Sequence, residues 1–143
     1  DYEVEIKSFG DGNSFWPIKF SDANGYDYFM IDIFPFSEDV DTDLFLGDLE
    51  RILDIARQEV ENKGLKGFMI GEFGYMTKKP ATLASIMPGP ELNEEEQAKG
   101  IEGYLDVAMP KVDGIVYCGW TLPGYGFKDK LAEDVIKEKF GSY

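Results

Sequence analysis

The stretch FMIGEFGYMT, residues 68–77, contains the carboxylate that is best placed for chemistry. Glu72 closes an apolar run, lies between Gly71 and Gly74, and has aromatic residues on both sides. A carboxylate at the end of a strand can attack an electrophilic carbon or move a proton, or it can simply mark where the strand becomes a loop. The chain has no histidine, which excludes Ser/His/Asp triads, Cys/His dyads and histidine-ligated metal sites on it. Acid–base chemistry must therefore use carboxylates, tyrosines, lysines or the single thiol of Cys118.

Composition limits the classes of partner. The chain has 28 acidic and 14 basic residues, for a net charge of -14, so most of its surface would repel a phosphate backbone and we expect no nucleic-acid partner. An apolar content of 43% in 143 residues is enough for one core, and residues 1–143 are predicted to form a single domain. No apolar run approaches the roughly 18 residues that a membrane helix requires, so we expect no membrane partner.

Four strands and three helices are predicted to follow one another along the chain. The strands are predicted from alternating or continuous apolar residues at 2–8, 28–34, 67–74 and 113–120. Helices are predicted from apolar residues at intervals of three and four, with Gly64 as the stop of the first and Asn93 as the N-cap of the second. Their apolar positions are Leu46, Leu49, Leu53, Ala56 and Val60; Ala98, Ile101, Leu105 and Ala108; and Leu131, Ala132, Val135, Ile136 and Phe140.

This alternation predicts an α/β fold with a parallel sheet, either open and doubly wound or curled into a barrel. A nucleotide-binding doubly wound fold would require a glycine-rich phosphate loop, and the chain has neither GxGxxG nor GxxxxGK. The sequence therefore favours the barrel.

Four segments resemble landmarks of one family, the large clan of (β/α)8 retaining glycoside hydrolases that includes cellulases, mannanases and β-galactosidases. IGEFGYMT is similar to its seventh-strand motif, and YDYFMIDIFPF resembles its sixth strand. NEEEQAKGIEGYL resembles the helix after strand seven, and VDGIVYCGW resembles strand eight, which commonly ends in a tryptophan. The landmarks occur in the expected order over about residues 26 to 140.

The resemblance implies that the chain is the C-terminal part, about strands 5 to 8, of a (β/α)8 TIM barrel. Glu72 would be the catalytic nucleophile, and the acid/base glutamate, which ends strand four in the family, would lie upstream of this chain. We expect the missing N-terminal half-barrel, or a second copy of the chain, to complete the barrel. The expected activity is hydrolysis of a β-linked oligo- or polysaccharide without a cofactor, and the chain alone is expected to be inactive.

Aromatic residues around the strand ends are the expected carbohydrate-binding residues. The resemblance implies that Trp120 forms a platform for a sugar ring, with a barrel-core tryptophan as its alternative role. Phe34, Tyr75 and Tyr125 are expected to line the same site. The acidic run SEDVDTD, residues 37–43, could hold Ca²⁺, but its spacing is not that of an EF-hand and a solvated loop is favoured, so no metal is expected.

Strict alternation along the third strand predicts that Phe68, Ile70 and Glu72 share the face toward the barrel axis, with Met69, Gly71 and Phe73 opposite. The same parity places Val116, Cys118 and Trp120 inward on the last strand. Asp32 is predicted to be a carboxylate that supports the site from deeper in its strand.

One residue departs from the family pattern. Many members have a tyrosine at the end of strand six that hydrogen-bonds the nucleophile, and the matching residue here is Phe34, which has no hydroxyl. The sequence therefore leaves a second function open, a non-catalytic carbohydrate-binding or assembly module on a half-barrel.

Overall fold

The structure, a computed structural model, describes residues 25–33, 42–75, 94–117, 119, 121 and 126–141. Three strands alternate with three helices, each at the place that the sequence predicted. They are β1 (Tyr28–Ile33), α1 (Thr42–Asn62), β2 (Gly67–Phe73), α2 (Glu94–Ala108), β3 (Gly114–Tyr117) and α3 (Leu131–Phe140). The predicted strand at residues 2–8 and the predicted N-cap Asn93 lie outside the described residues.

The three strands form a parallel sheet in the order β1-β2-β3. The prediction of an α/β fold with a parallel sheet is thus confirmed. The described helices pack on one face of this sheet around a single apolar core, with α2 in contact with both α1 and α3. The buried apolar residues are Ile31, Ile33, Phe45, Leu49, Ile52, Leu53, Ala56, Val60, Phe68, Ile70, Phe73, Ile101, Tyr104, Leu105, Ala108, Phe127 and Ala132.

Helix α1 ends just before Gly64, the glycine that the sequence indicated as its stop. Gly64 has φ of 68°, a left-handed conformation that glycine adopts without steric cost. The backbone N–H of Gly64 donates to the carbonyl of Glu61, and that of Leu65 donates to the carbonyl of Val60 at 3.1 Å. These two bonds form a Schellman motif, which satisfies the last carbonyls of the helix and turns the chain toward β2.

The second face of the sheet has no helix on it in the described part of the chain. Tyr28 and Met30 of β1 are 54% and 53% exposed, and Val116 of β3 is 47% exposed. We call this surface the open face. Parallel sheets are normally covered on both faces, so apolar side chains are unusual on an exposed face of such a sheet.

Among the described helices, none combines the length and the apolar character needed to cross a membrane.

An ionic clamp joins α1 to the amino-terminal end of the sheet. Two nitrogens of the Arg57 guanidinium donate to the two oxygens of the Asp113 carboxylate, at 2.7 and 3.3 Å. The backbone N–H of Phe68 donates to the same carboxylate at 2.8 Å. These bonds favour the charged carboxylate and lower the pKa of Asp113, with the Arg57 bond as the larger cause.

Replacement of Asp113 by Asn is expected to lower the free energy of unfolding at pH 7 by about 1 kcal/mol, because water screens a partly exposed pair. The folded-state pKa of Asp113 lies below its ordinary value of 3.8. Its contribution is therefore complete above that value and is lost as the pH falls through the folded-state pKa. Urea unfolding at pH 7 and near pH 3 should show the difference between wild type and variant shrinking with acid.

The matched control is Asp27→Asn, which breaks an exposed pair with Lys66 and removes no carboxylate bond to a described backbone N–H. Its effect should be smaller than that of Asp113→Asn. An Asp113→Asn difference that is equal at both pH values would contradict the clamp.

Candidate functional site

A β-bulge near the carboxyl end of β2 determines where Glu72 points. On the β1 side, Ile31 pairs with Ile70, and the next residue, Asp32, pairs with Glu72. On the β3 side the same part of β2 is again one residue longer than its neighbour. Gly71 is therefore an extra residue, and two residues of β2 oppose one residue of β1.

Because of the bulge, the side chains of β2 are distributed between the two faces of the sheet differently from the prediction. Phe68, Ile70 and Phe73 are fully buried on the helix-covered side, whereas Glu72 is exposed. The prediction that Glu72 shares a face with Phe68 and Ile70, and that Phe73 lies opposite them, is wrong. The extra residue breaks the alternation, so Glu72 lies on the open face near the end of the central strand.

A second carboxylate lies beside Glu72 on the open face. Asp32 is exposed, and one of its carboxylate oxygens would be 2.7 Å from a Cβ built on Gly71. The side chain of Met30 would be 3.2 Å from the same Cβ. A side chain at position 71 would require the Asp32 carboxylate to move, so the glycine leaves room for this carboxylate beside the bulge. The structure thus places Asp32 beside Glu72, near the carboxyl ends of β1 and β2.

Aromatic rings support the bulge from the helix side. The ring of Phe73 stacks on Tyr104 of α2, with centroids 4.4 Å apart, and meets Tyr117 of β3 edge-on at 4.8 Å. Tyr117 in turn contacts Phe127 edge-on at 4.8 Å. Because Phe73 follows Glu72 directly, this packing fixes the backbone that carries the carboxylate.

The buried tyrosine of this cluster also has a polar contact with β1. The Tyr104 hydroxyl donates to the backbone carbonyl of Ile33, the last residue of the strand, at 3.3 Å. Burial raises the pKa of Tyr104 well above its usual value, and the negative charge of Asp32 adds to the effect. The hydroxyl therefore stays protonated and can hold the carboxyl end of β1 at neutral pH.

The predicted sugar-binding residue Tyr75 lies between two helices. Its hydroxyl is 2.9 Å from the Thr42 hydroxyl, at the start of α1. Its backbone carbonyl accepts a hydrogen bond of 2.9 Å from the side-chain amide of Gln97, a fully buried residue of α2. Burial raises the pKa of Tyr75, so its hydroxyl is protonated at neutral pH.

The other predicted site residues fall outside what the structure describes. Phe34, Trp120 and Tyr125 lie there, as does Cys118. Most of the acidic run 37–43, the alternative calcium site, lies there as well. Within the described ranges, no three acidic, cysteine or histidine side chains lie close enough to hold a metal ion.

Three residues around the site escaped the sequence analysis, namely Thr42, Gln97 and Tyr104. Gln97 and Tyr104 fall on the same stripe of α2 as Ile101 and Leu105, at intervals of three and four. That helical spacing could have predicted the burial of both residues, but they were left out of the stripe because their side chains are polar. The sequence gives no signal for the contact of Thr42 with Tyr75, because 33 residues separate them.

Comparison with protein-family models, with curated proteins and with solved structures gives no match to this chain.

Proposed function

We propose that this chain is the C-terminal half of a (β/α)8 barrel in a retaining glycoside hydrolase, and that Glu72 is the nucleophile. One observation carries the proposal. Glu72 is exposed near the carboxyl end of the central strand of a parallel sheet, on the face that the described helices leave open. In such barrels the helices surround the strands, and reacting groups lie where the strands end.

The fold supports the barrel in two further ways. The strands lie side by side in chain order, with all described helices on one face, which is the arrangement of consecutive units of a (β/α)8 barrel. The open face carries Tyr28, Met30 and Val116, apolar side chains that need cover. A barrel interior completed by an N-terminal half would cover them, and three described strands with one more predicted fall well short of eight.

The proposed reaction has two displacements. A carboxylate oxygen of Glu72 attacks the anomeric carbon, the bond from this carbon to the leaving oxygen breaks, and an acid/base carboxyl group donates a proton to that oxygen. Water then attacks the same carbon, gives its proton to the acid/base group, and releases Glu72. The two carboxyl groups must be about 5 to 5.5 Å apart. The acid/base glutamate would come from a strand of the other half.

The substrate proposed is a β-linked oligo- or polysaccharide. Trp120 would stack on a sugar ring, and Phe34 and Tyr125 would line the groove around it. Stacking on aromatic faces suits sugars because one face of a ring carries mostly C–H groups. Apart from the completing half-barrel, the proposal requires no protein partner and no cofactor.

Covalent trapping tests the nucleophile directly. Aryl 2-deoxy-2-fluoro-β-glycosides of gluco, manno and galacto configuration would be incubated with the complete protein. The activated phenol speeds the first displacement, and the fluorine slows the second, so the sugar stays esterified to the nucleophile. Trypsin releases residues 67–78, GFMIGEFGYMTK, in which Glu72 is the only side-chain carboxylate. A sugar mass on this peptide is the expected result.

Substrate assays complete the test with glucan, mannan and galactoside oligosaccharides. A label on another peptide, or products released with inverted configuration, would overturn Glu72 as nucleophile. Binding of these sugars without hydrolysis would favour the carbohydrate-binding module. The absence of both binding and hydrolysis would reject both functions.

A further inference from the structure

Tyr75, which lies just beyond the end of β2, has hydrogen-bond contacts with two helices. Tyr75 comes three residues after Glu72, and its hydroxyl is 2.9 Å from the hydroxyl of Thr42 in α1. The carbonyl of the same residue accepts the 2.9 Å hydrogen bond from Gln97 in α2. Thr42 belongs to the helix that follows β1, and Gln97 to the helix that follows β2. Tyr75 thus joins the two βα units whose strands carry Asp32 and Glu72.

The ring of Tyr75 is also packed against both helices. A Cβ at Gly100 would be 2.5 Å from the Tyr75 ring, so the ring lies directly on the α2 backbone. Phe45 of α1 meets the ring at a tilt of 69°, with centroids 6.4 Å apart. The ring is therefore wedged between the two helices, on the helix side of the sheet.

We infer that Tyr75 is a positioning residue for Glu72, an inference that rests on the proposed function. The bulge interrupts the ladder at Gly71, directly before Glu72, so contacts outside the ladder also hold this stretch of backbone. Phe73 provides one by packing, and Tyr75 provides a second through Thr42 and Gln97. Displacement of a reacting group by about 1 Å can cost about a hundredfold in rate. This role differs from the sugar-binding role that the sequence predicted for Tyr75.

Two variants remove the same hydrogen bond from opposite sides. Tyr75→Phe deletes one hydroxyl, and Thr42→Val replaces the other with a methyl group of similar shape. In the complete protein, with the best oligosaccharide substrate, each should lower kcat about 3- to 10-fold and leave KM within about twofold. The double variant should be no slower than the slower single variant, because both delete one bond.

Thr42→Ser is the matched control, since it keeps the hydroxyl, and it should retain most of the wild-type kcat. Assays at least 15 °C below each melting temperature, an interval chosen for the experiment, separate kcat from unfolding. If Tyr75→Phe does not fold, the Thr42→Val and Thr42→Ser pair still tests the bond.

A rise in KM for Tyr75→Phe, with unchanged kcat and no effect of Thr42→Val, would overturn the inference and restore the sugar-binding role. Unchanged kinetics in both variants, or additive losses in the double variant, would also overturn it. Failure of the proposed function would look different, because Glu72→Gln would then keep its activity whatever the Tyr75 variants do.

Discussion

Replacing Glu72 by Gln is expected to lower kcat/KM by at least about 10³-fold in the complete protein, with no loss of folding. The amide cannot attack the anomeric carbon, and losses of this order or larger follow the removal of a nucleophile. The side chain is exposed on the open face, where a surface substitution changes the free energy of unfolding by about 0.5 kcal/mol or less. Steady-state kinetics and thermal unfolding of the same preparation provide the two measurements.

The matched control is Glu138→Gln, the same chemical change on an exposed residue of α3. It should leave kcat/KM within about twofold of wild type. Azide added to Glu72→Ala provides a further check, because the small anion can replace the lost carboxylate and attack the anomeric carbon. An α-glycosyl azide from a β-linked substrate is expected. A Glu72→Gln variant within tenfold of wild type would rule out the nucleophile.

Replacing Phe73 by Ala is expected to lower the free energy of unfolding by about 3 to 5 kcal/mol. The residue is fully buried and stacks on Tyr104 at 4.4 Å, so truncation leaves a cavity that two rings line. The prediction also tests the bulge, since strict alternation would place Phe73 opposite the other buried residues of the strand. Denaturant unfolding of wild type and variant measures this change in the free energy of unfolding.

Leu131→Ala is the control for Phe73→Ala. Leu131 is 49% exposed at the start of α3, so its truncation should cost much less, about 0.5 kcal/mol. If Phe73→Ala costs no more than this control, Phe73 does not occupy the core and the bulge is absent.

Local patterns predicted the elements because each one depends on neighbours in the chain. The spacing of apolar residues in α1 and the glycine at its end are both visible in the sequence. The structure has a Schellman motif at that glycine. The apolar runs at 28–34 and 67–74 likewise required only short-range information. Their parallel pairing followed from the alternation of strands with helices.

The bulge could not be predicted, because one extra residue leaves no mark except a glycine, which is also ordinary at strand ends. Burial of Gln97 and Tyr104 was missed because pattern analysis treats polar groups as exposed, whereas each has a hydrogen-bond partner in the core. Leu131 was predicted to be part of an apolar stripe, yet it is about half exposed, since the stripe begins one residue later at Ala132. Glu72 was placed near the strand end by the sequence, but the face it occupies required the register.

The bulge at Gly71 has an evolutionary consequence. If Gly71 were removed, β2 would alternate regularly, with Phe68, Ile70 and Phe73 still toward the helices and Glu72 still on the open face. The bulge therefore absorbs the extra residue, so that every side chain keeps its face and Glu72 keeps its pairing with Asp32. Insertion of a single codon adds such a residue, so a strand of this kind can take up an insertion at a bulge without redesign of the hydrophobic interior.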